Sequence, residues 1–278
     1  PELLLLYADS IHQLATKSKK PEQLVEYYIW ASEGNFIKGD FQQGYALKRK
    51  AIALAEKAGL KFAISQSCCD MGYYCNVDAR YDSARYYFRK GLEAGEDLSE
   101  AGEACRTMLT NYASSFLFEG KTDSALVYTI RASERSAADK DTAMLIENLN
   151  QLGTIYRRKK DLENCIANFE QALHLCELRG NHNAVAFIYG NIATAYCDWN
   201  RPVDAIPFSE KAVEYALKTG NKRRIGTCYV NLGAIQTRLV QMRAEGIATL
   251  LKAIPILEEV NDRRLLCDAY NYLVNAYR

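Results

Sequence analysis

Three observations predict an all-α fold built of stacked helix pairs. The chain resembles itself about every forty residues. Its small residues fall into columns at that same period. Its five prolines and sixteen glycines are too few for a protein of many short strands and turns. The self-similarity is plainest between Asn148-Leu149-Asn150-Gln151-Leu152-Gly153-Thr154-Ile155-Tyr156 and Gly190-Asn191-Ile192-Ala193-Thr194-Ala195-Tyr196, where Ala193 follows Gly153 by 40 residues. In that register one small column runs Ser32, Gly72, Ala113, Gly153, Ala193 and Gly233. A second runs Gly44, Ala84, Ala125, Cys165, Ala205 and Gly246, and a third Ala51, Gly91, Ala132, Ala172, Ala212 and Ala253. A minimal side chain at such points lets two helices approach, while large residues on the same faces fill the remaining space.

Residues 2–18 open the chain as the second helix of an incomplete unit, because Leu14-Ala15 precede Leu54-Ala55 by 40 residues. Six complete units come next, at approximately 21–60, 61–100, 101–141, 142–181, 182–221 and 222–262. Residues 265–278 close it as a lone first helix, with Leu273 following Leu232 by 41. Within units the helices break at Gly39-Asp40, Gly120-Lys121, Lys160-Asp161 and Asn200-Arg201. Between units they break at Gly59, Gly95, Gly180-Asn181 and Gly220-Asn221. Gly suits a left-handed helix end, and Asn suits the cap of the next helix. Pro21 and Pro202 fall in first turns, where a missing N–H costs little. Pro207 and Pro255 fall inside second helices, which they are expected to kink or loosen. The whole of 1–278 reads as one solenoid domain. Its first residue is Pro1 and both ends fall inside the repeat, so the parent array or another domain is expected to continue past at least one end.

Composition narrows the function. Of 278 residues, 49% are apolar and 25% charged, and 35 Lys and Arg against 34 Asp and Glu leave a net charge of +1. Direct nucleic-acid binding is therefore not expected. The basic runs Arg157-Arg158-Lys159-Lys160 and Lys222-Arg223-Arg224 sit beside turns, where solvated charge is ordinary. The longest aliphatic run, Leu3 to Leu6, is far too short to span a membrane. Nine cysteines include no C-x-x-C pair, and His12, His174 and His182 lie on different elements, so neither a metal site nor a Cys-His nucleophile is expected. No phosphate loop or nucleophile elbow occurs either. No catalytic residue and no cofactor are predicted.

The segment Gln151-Leu152-Gly153-Thr154-Ile155-Tyr156, followed by Cys165, Phe169 and Ala172, resembles a tetratricopeptide repeat, with Cys in place of the usual Ala. The period of 40 rather than 34 implies longer helices, and the Pro that usually closes each unit is missing. The resemblance implies a right-handed superhelix whose first helices line a concave groove. Similar long-period arrays occur in bacterial regulators and sensor kinases.

On that pattern the sixth position of each unit faces the groove, and it reads Trp30, Asp70, Asn111, Gln151, Asn191, Asn231 and Tyr272. Four consecutive carboxamides can both donate to and accept from the backbone of an extended peptide. They can equally tie adjacent helices together, since buried amides must be paired in either case. The ninth position holds Glu33, Tyr73, Ser114, Thr154, Thr194 and Ala234. The thirteenth holds Ile37, Val77, Phe118, Arg158, Asp198 and Arg238. The fifth, with Ile29, Cys69, Thr110, Asn150, Gly190 and Val230, lacks the Lys with which relatives clamp acidic C-termini. The groove is thus read as apolar in its N-terminal half and polar, partly basic, in its C-terminal half. Its expected contacts are Trp30, Tyr73, Asn111, Asn150, Gln151, Thr154, Arg158, Asn191, Thr194, Asn231 and Arg238.

The expected function is a non-enzymatic scaffold for a protein or extended peptide segment, as the sensing or assembly region of a bacterial signalling or transcription-regulatory protein. The alternative is a homo-oligomerisation module of such a protein, whose end helices or groove pair with another copy. Unpaired cysteines favour the cytoplasm; the resemblance to membrane-anchored sensors leaves the periplasm as the alternative.

Overall fold

A computed structural model of the protein describes residues 2–18 and 20–278. Pro1, Lys19 and the side chains of Leu4, Leu5, Leu14 and Ala15, on which part of the N-terminal reading rests, lie outside the described residues. Fourteen α-helices and no strand form among the described residues, in keeping with the all-α expectation. They divide into two compact units, Pro1–Arg135 and Ser136–Arg278.

The first unit holds α1 (Glu2–Ser18), α2 (Pro21–Lys38), α3 (Phe41–Ala58), α4 (Lys61–Val77), α5 (Tyr81–Gly95), α6 (Gly102–Phe118) and most of α7 (Thr122–Ala138). Within it α1 packs on α2, α2 on α3 and α4 on α5, while α4 also meets α6. The second unit holds α8 (Thr142–Arg158), α9 (Leu162–Leu178), α10 (His182–Asp198), α11 (Pro202–Thr219), α12 (Lys222–Thr237), α13 (Arg243–Glu259) and α14 (Arg263–Tyr277). Its hairpins are α8–α9, α10–α11 and α12–α13, and α10 and α14 each reach α12.

The helices are cut to length by backbone geometry. Gly39, Gly59, Ala79, Gly120, Lys140, Lys160, Gly180, Asn200, Gly220 and Asn261 all take left-handed φ values, between 52 and 85°. Most follow one another by twenty residues, one helix plus its turn. The two positions missing from that series are replaced by short 3-10 turns, Ser99–Ala101 and Val240–Met242. Pro21 and Pro202 start their helices, while α11 and α13 run on through Pro207 and Pro255.

Large rings over missing side chains close the hairpins. A Cβ on Gly72 would overlap Cε1 of Phe88, and one on Gly153 would overlap Cε1 of Phe169, so only hydrogen fits beneath either ring. Both rings are fully buried. The core of the first unit gathers Phe36, Tyr45, Met71, Phe88, Met108 and Tyr112; in the second unit Val230, Leu250, Leu257, Leu265 and Leu273 form one such cluster. One charged residue is sealed in the first core. Lys48 of α3 is inaccessible, with Nζ 2.8 Å from both Oε1 of Glu33 on α2 and Oδ2 of Asp70 on α4. The Tyr74 hydroxyl donates to Glu33 as well, at 2.9 Å.

Candidate functional site

In the second unit the predicted polar residues rise from three helices, α8, α10 and α12. Each helix start is fixed by a side-chain cap: Asp141, Asn181 and Asn221 accept from the backbone N–H of Met144, Ala184 and Arg224. Such a cap satisfies one of the orphan donors of a first helical turn and sets the register of the turns beyond it. From α8 come Asn150, Gln151, Thr154 and Arg158; from α10, Asn191 and Thr194; from α12, Asn231, with Arg238 at its C-terminal cap. Asn191 donates through Nδ2 to Oδ1 of Asn150 at 2.8 Å, which ties α10 to α8. That bond uses one of the two N–H groups of Asn191. Thr154 and Thr194 spend their hydroxyl protons on the carbonyls of Asn150 and Gly190, at 3.1 and 2.8 Å, and keep lone pairs to accept with. Gly190 stands over open space. Gln151 is half-buried and Arg158 exposed, and both already have partners.

Asn231, Thr194 and Arg238 are exposed and meet in one cleft of about 250 Å³, shared with Cys197, Asp198, Ala234, Ile235 and Tyr272. A neighbouring cleft of about 360 Å³ is framed by Arg157, Arg158, Lys160, Asp198 and Trp199, with Arg157 Nη1 3.6 Å from Asp198 Oδ2. Burial raises the Cys197 thiol above its ordinary value against the opposing pull of Arg238, so it stays a thiol. The clefts therefore offer an amide, a hydroxyl and guanidinium groups around a single carboxylate. That set suits a ligand with carbonyl oxygens or negative charge.

The first unit is built otherwise. Asn111 of α6 is half-buried, and its backbone carbonyl accepts from Asn76 Nδ2 at 2.9 Å. Tyr73 is exposed, edge-on to Tyr74. Asp70, in the groove column by sequence, is committed to Lys48; its burial raises the carboxyl above the usual range although Lys48 pulls the other way. Trp30 stands edge-on to Tyr7 and walls a cavity of about 680 Å³ that also meets Val25, Ile29, Leu60, Phe62 and Leu98, with Glu22, Glu26 and Glu100 among its lining. Trp30 belongs to the groove column by sequence. The remainder of the cavity does not, since it forms where the starts of α2 and α4 and the turn before α6 come together. Its one sequence signal is the spacing of Glu22 and Glu26, four apart on one helical face.

Among the described residues no three His, Cys, Asp or Glu side chains gather as metal ligands, and no helix is long and apolar enough to cross a membrane.

Residues 144–218 match the sequence model of the tetratricopeptide repeat. No curated protein matches the chain by sequence. Solved structures match over nearly its full length at low identity. A signal-transduction ATPase with a tetratricopeptide repeat sensor from Pyrococcus horikoshii is 18% identical with a TM-score of 0.69, over 99% of this chain and 49% of that one. The apo form of RapI is 12% identical with a TM-score of 0.67, over 91% of this chain and 97% of that one. The apo form of the quorum sensor NprR from B. thuringiensis is 18% identical with a TM-score of 0.66, over 99% of this chain and 81% of that one. Residues 144–218 are thus tetratricopeptide repeats, and the described chain as a whole has the fold of tetratricopeptide-like helical arrays.

Proposed function

We propose that this chain is a non-enzymatic scaffold that holds an extended peptide or protein segment on the polar face of α8, α10 and α12, as the sensing or assembly region of a bacterial signalling protein. The observation that carries the reading is the cleft in which Thr194 of α10, Asn231 of α12 and Arg238 at the C-terminal cap of α12 are exposed together. An exposed carboxamide beside a hydroxyl and a guanidinium can pair with backbone carbonyls and N–H groups whatever the side chains of the guest. The described neighbours support the setting, one being a quorum sensor and one a tetratricopeptide repeat sensor of a signal-transduction ATPase. The cytoplasm is the compartment this reading assigns. All nine cysteines are free thiols and seven are buried, with burial pushing Cys165 and Cys228 up to about 11.

The test is selection of binders from an unbiased library of displayed decapeptides, followed by affinity measurements on Asn231→Ala. Loss of one amide bond weakens each binder about two- to thirteenfold, at roughly 0.5 to 1.5 kcal/mol. The melting temperature stays put, because Asn231 is exposed. Asn191→Ala, by contrast, loses the bond to Asn150 and lowers stability as well. Unchanged affinity with a lowered melting temperature in Asn231→Ala would overturn the assignment.

A further inference from the structure

We propose that the cavity of the first unit is a separate binding site, selective for a peptide segment that carries bulky apolar side chains next to lysine or arginine. It is distinct from the polar face of α8, α10 and α12 and stands without it.

Size and walls come first. At about 680 Å³ the cavity falls within the roughly 300 to 1,000 Å³ typical of ligand sites. Its apolar wall is made by Val25, Ile29 and Trp30 of α2, Leu60 and Phe62 at the start of α4, and Leu98 before α6. Phe62 remains 40% exposed, so a guest side chain can cover apolar surface that the protein itself leaves wet. Trp30 also borders a second hollow, where Leu3, Leu6 and Tyr7 of α1 are exposed, which prolongs the apolar surface on that side.

Charge sets the sign of the ligand. Glu22, Glu26 and Glu100 face the cavity against Lys61 alone. None of the three carboxylates is held in an ion pair among the described residues. A smaller cleft of about 290 Å³ continues from Phe62, Gln66 and Glu100 and adds Glu103, with Asp70 there already paired with Lys48. An elongated guest therefore passes from an apolar end to an acidic one. Whole carboxylate charges outweigh the fractional positive charge of nearby helix starts, roughly half a charge each, so an anionic guest is disfavoured.

Backbone donors complete the fit. The helices that frame the cavity begin after Lys20, Leu60 and Ala101, none of which supplies a side-chain cap. The first-turn residues Lys61, Phe62 and Ala63 of α4 line the cavity. The Lys61 N–H turns back to the Gly59 carbonyl at 3.1 Å, whereas those of Phe62 and Ala63 have no i−4 partner within the helix, and a guest's carbonyl oxygens can accept from them. Carbonyls for the amides, cations for the glutamates and an apolar side chain for Trp30 and Phe62 together describe a basic, amphipathic peptide.

The intact chain tests this. In a Trp199→Phe background Trp30 is the only indole, since the sequence holds two. The probe is an acetylated, amidated hexapeptide of two leucines, one phenylalanine and three lysines; its counterpart carries glutamate in place of lysine. A saturable change in Trp30 emission is expected with the lysine peptide, weakening as salt is added, and none with the glutamate peptide. Glu26→Gln with Glu100→Gln, both at exposed positions, weakens binding about two- to thirtyfold, the range for two exposed ion pairs. Phe62→Ala weakens it at every salt concentration. Equal binding of the two peptides, unchanged affinity in the double carboxamide variant, or no saturable change would each overturn the proposal. Asn231→Ala leaves this titration untouched, so its failure is separate from failure of the polar face.

Discussion

In the first unit, α2, α4, α5 and α6 begin after Lys20, Leu60, Arg80 and Ala101 without a side-chain cap, while Asp40 caps α3. In the second unit Asp141, Asp161, Asn181, Asn221 and Asp262 cap α8, α9, α10, α12 and α14. The ties between helices differ in the same sense. The first unit uses charge, with Lys48 between Glu33 and Asp70 and Arg85 on Glu119 and Asp82. The second adds amides, with Asn191 on Asn150, Asn148 on Ser136 and Gln236 on Glu245, to ion pairs nearer the surface, Arg157 with Asp198, Lys222 with Glu259 and Arg223 with Asp262. Three of the four helices in the segment that matches the repeat's sequence model, α8, α9 and α10, carry side-chain caps, and α11 begins after Arg201 without one. The first unit keeps the same helix geometry with singular contacts and leaves first-turn donors open beside an apolar cavity. The architecture is common to both units, whereas the hollows differ in lining, with carboxylates predominating in the first unit's cavity and basic groups in the second unit's clefts.

The contact shared by both units is where the comparison breaks most easily. Phe88 on Gly72 and Phe169 on Gly153 are the same ring-over-glycine joint, both fully buried. Phe88→Ala and Phe169→Ala should each cost about 3 to 5 kcal/mol, because glycine beneath cannot fill the hole. Urea unfolding with paired global probes measures it. Costs that differ by more than about 2 kcal/mol would show that one unit relaxes into the cavity, and that the joint is not equivalent.

Lys48 sharpens the contrast. Lys48→Ala leaves Glu33 and Asp70 without their cation, at a cost of about 3 kcal/mol. This is the low end for a broken buried pair, because the two carboxylates keep 23% and 32% of their side-chain surface in water. The second unit offers no matching buried cation among the described residues. Burial already holds Asp70 above the ordinary carboxylate range, so the folded state takes up its proton more readily than the unfolded chain. Acidification through that raised value should therefore recover part of the loss in the variant. A variant whose stability falls on acidification as steeply as that of the parent chain would contradict the cluster's role.

Each feature was legible in the sequence to the extent that it depends on local residue chemistry. Helix ends at Gly39, Gly59, Gly120, Gly180 and Gly220 are readable because glycine takes a left-handed φ freely. Ala79 and Lys140 take it too, yet nothing local favours them; a left-handed residue with a Cβ costs about 1 to 2 kcal/mol, which packing of the flanking helices must supply. The joint at Gly153 and Phe169 was visible as columns in the repeat. The carboxamide column was visible as well, but the bond from Asn191 to Asn150 spans 41 residues and two positions, and it depends on rotamers that only packing decides. The first unit's cavity left the faintest trace. It is defined by the gap between three helix starts and by caps that are missing, and a sequence pattern displays residues more readily than the space between them.

The smallest effect lies in the caps of the second unit, and pH reads it. The N–H of Leu265 to the Asp262 carboxylate, then burial, which opposes, then Arg223, set a net shift that holds Asp262 below its ordinary value. Asp161 is held down first by the Asn164 side chain and then by the backbone N–H of Asn164. A carboxyl lowered by folding binds fewer protons in the native state than in the unfolded one, so its contribution is complete above the ordinary Asp value of about 3.9 and is lost as pH falls through the lowered native value. Asp70 in the first unit runs the other way. Hydrogen-exchange protection at the starts of α9 and α14 should therefore fade on acidification before that of α3, where Lys48 lies. Asp161→Asn with Asp262→Asn separates cap from charge. Asn caps equally well at Asn181 and Asn221, so the double variant should keep its protection at neutral pH and lose only the acid-side slope. If the slope at α9 and α14 survives that replacement, carboxylates elsewhere govern the acid response, and the units differ in their caps without differing in how they answer to protons.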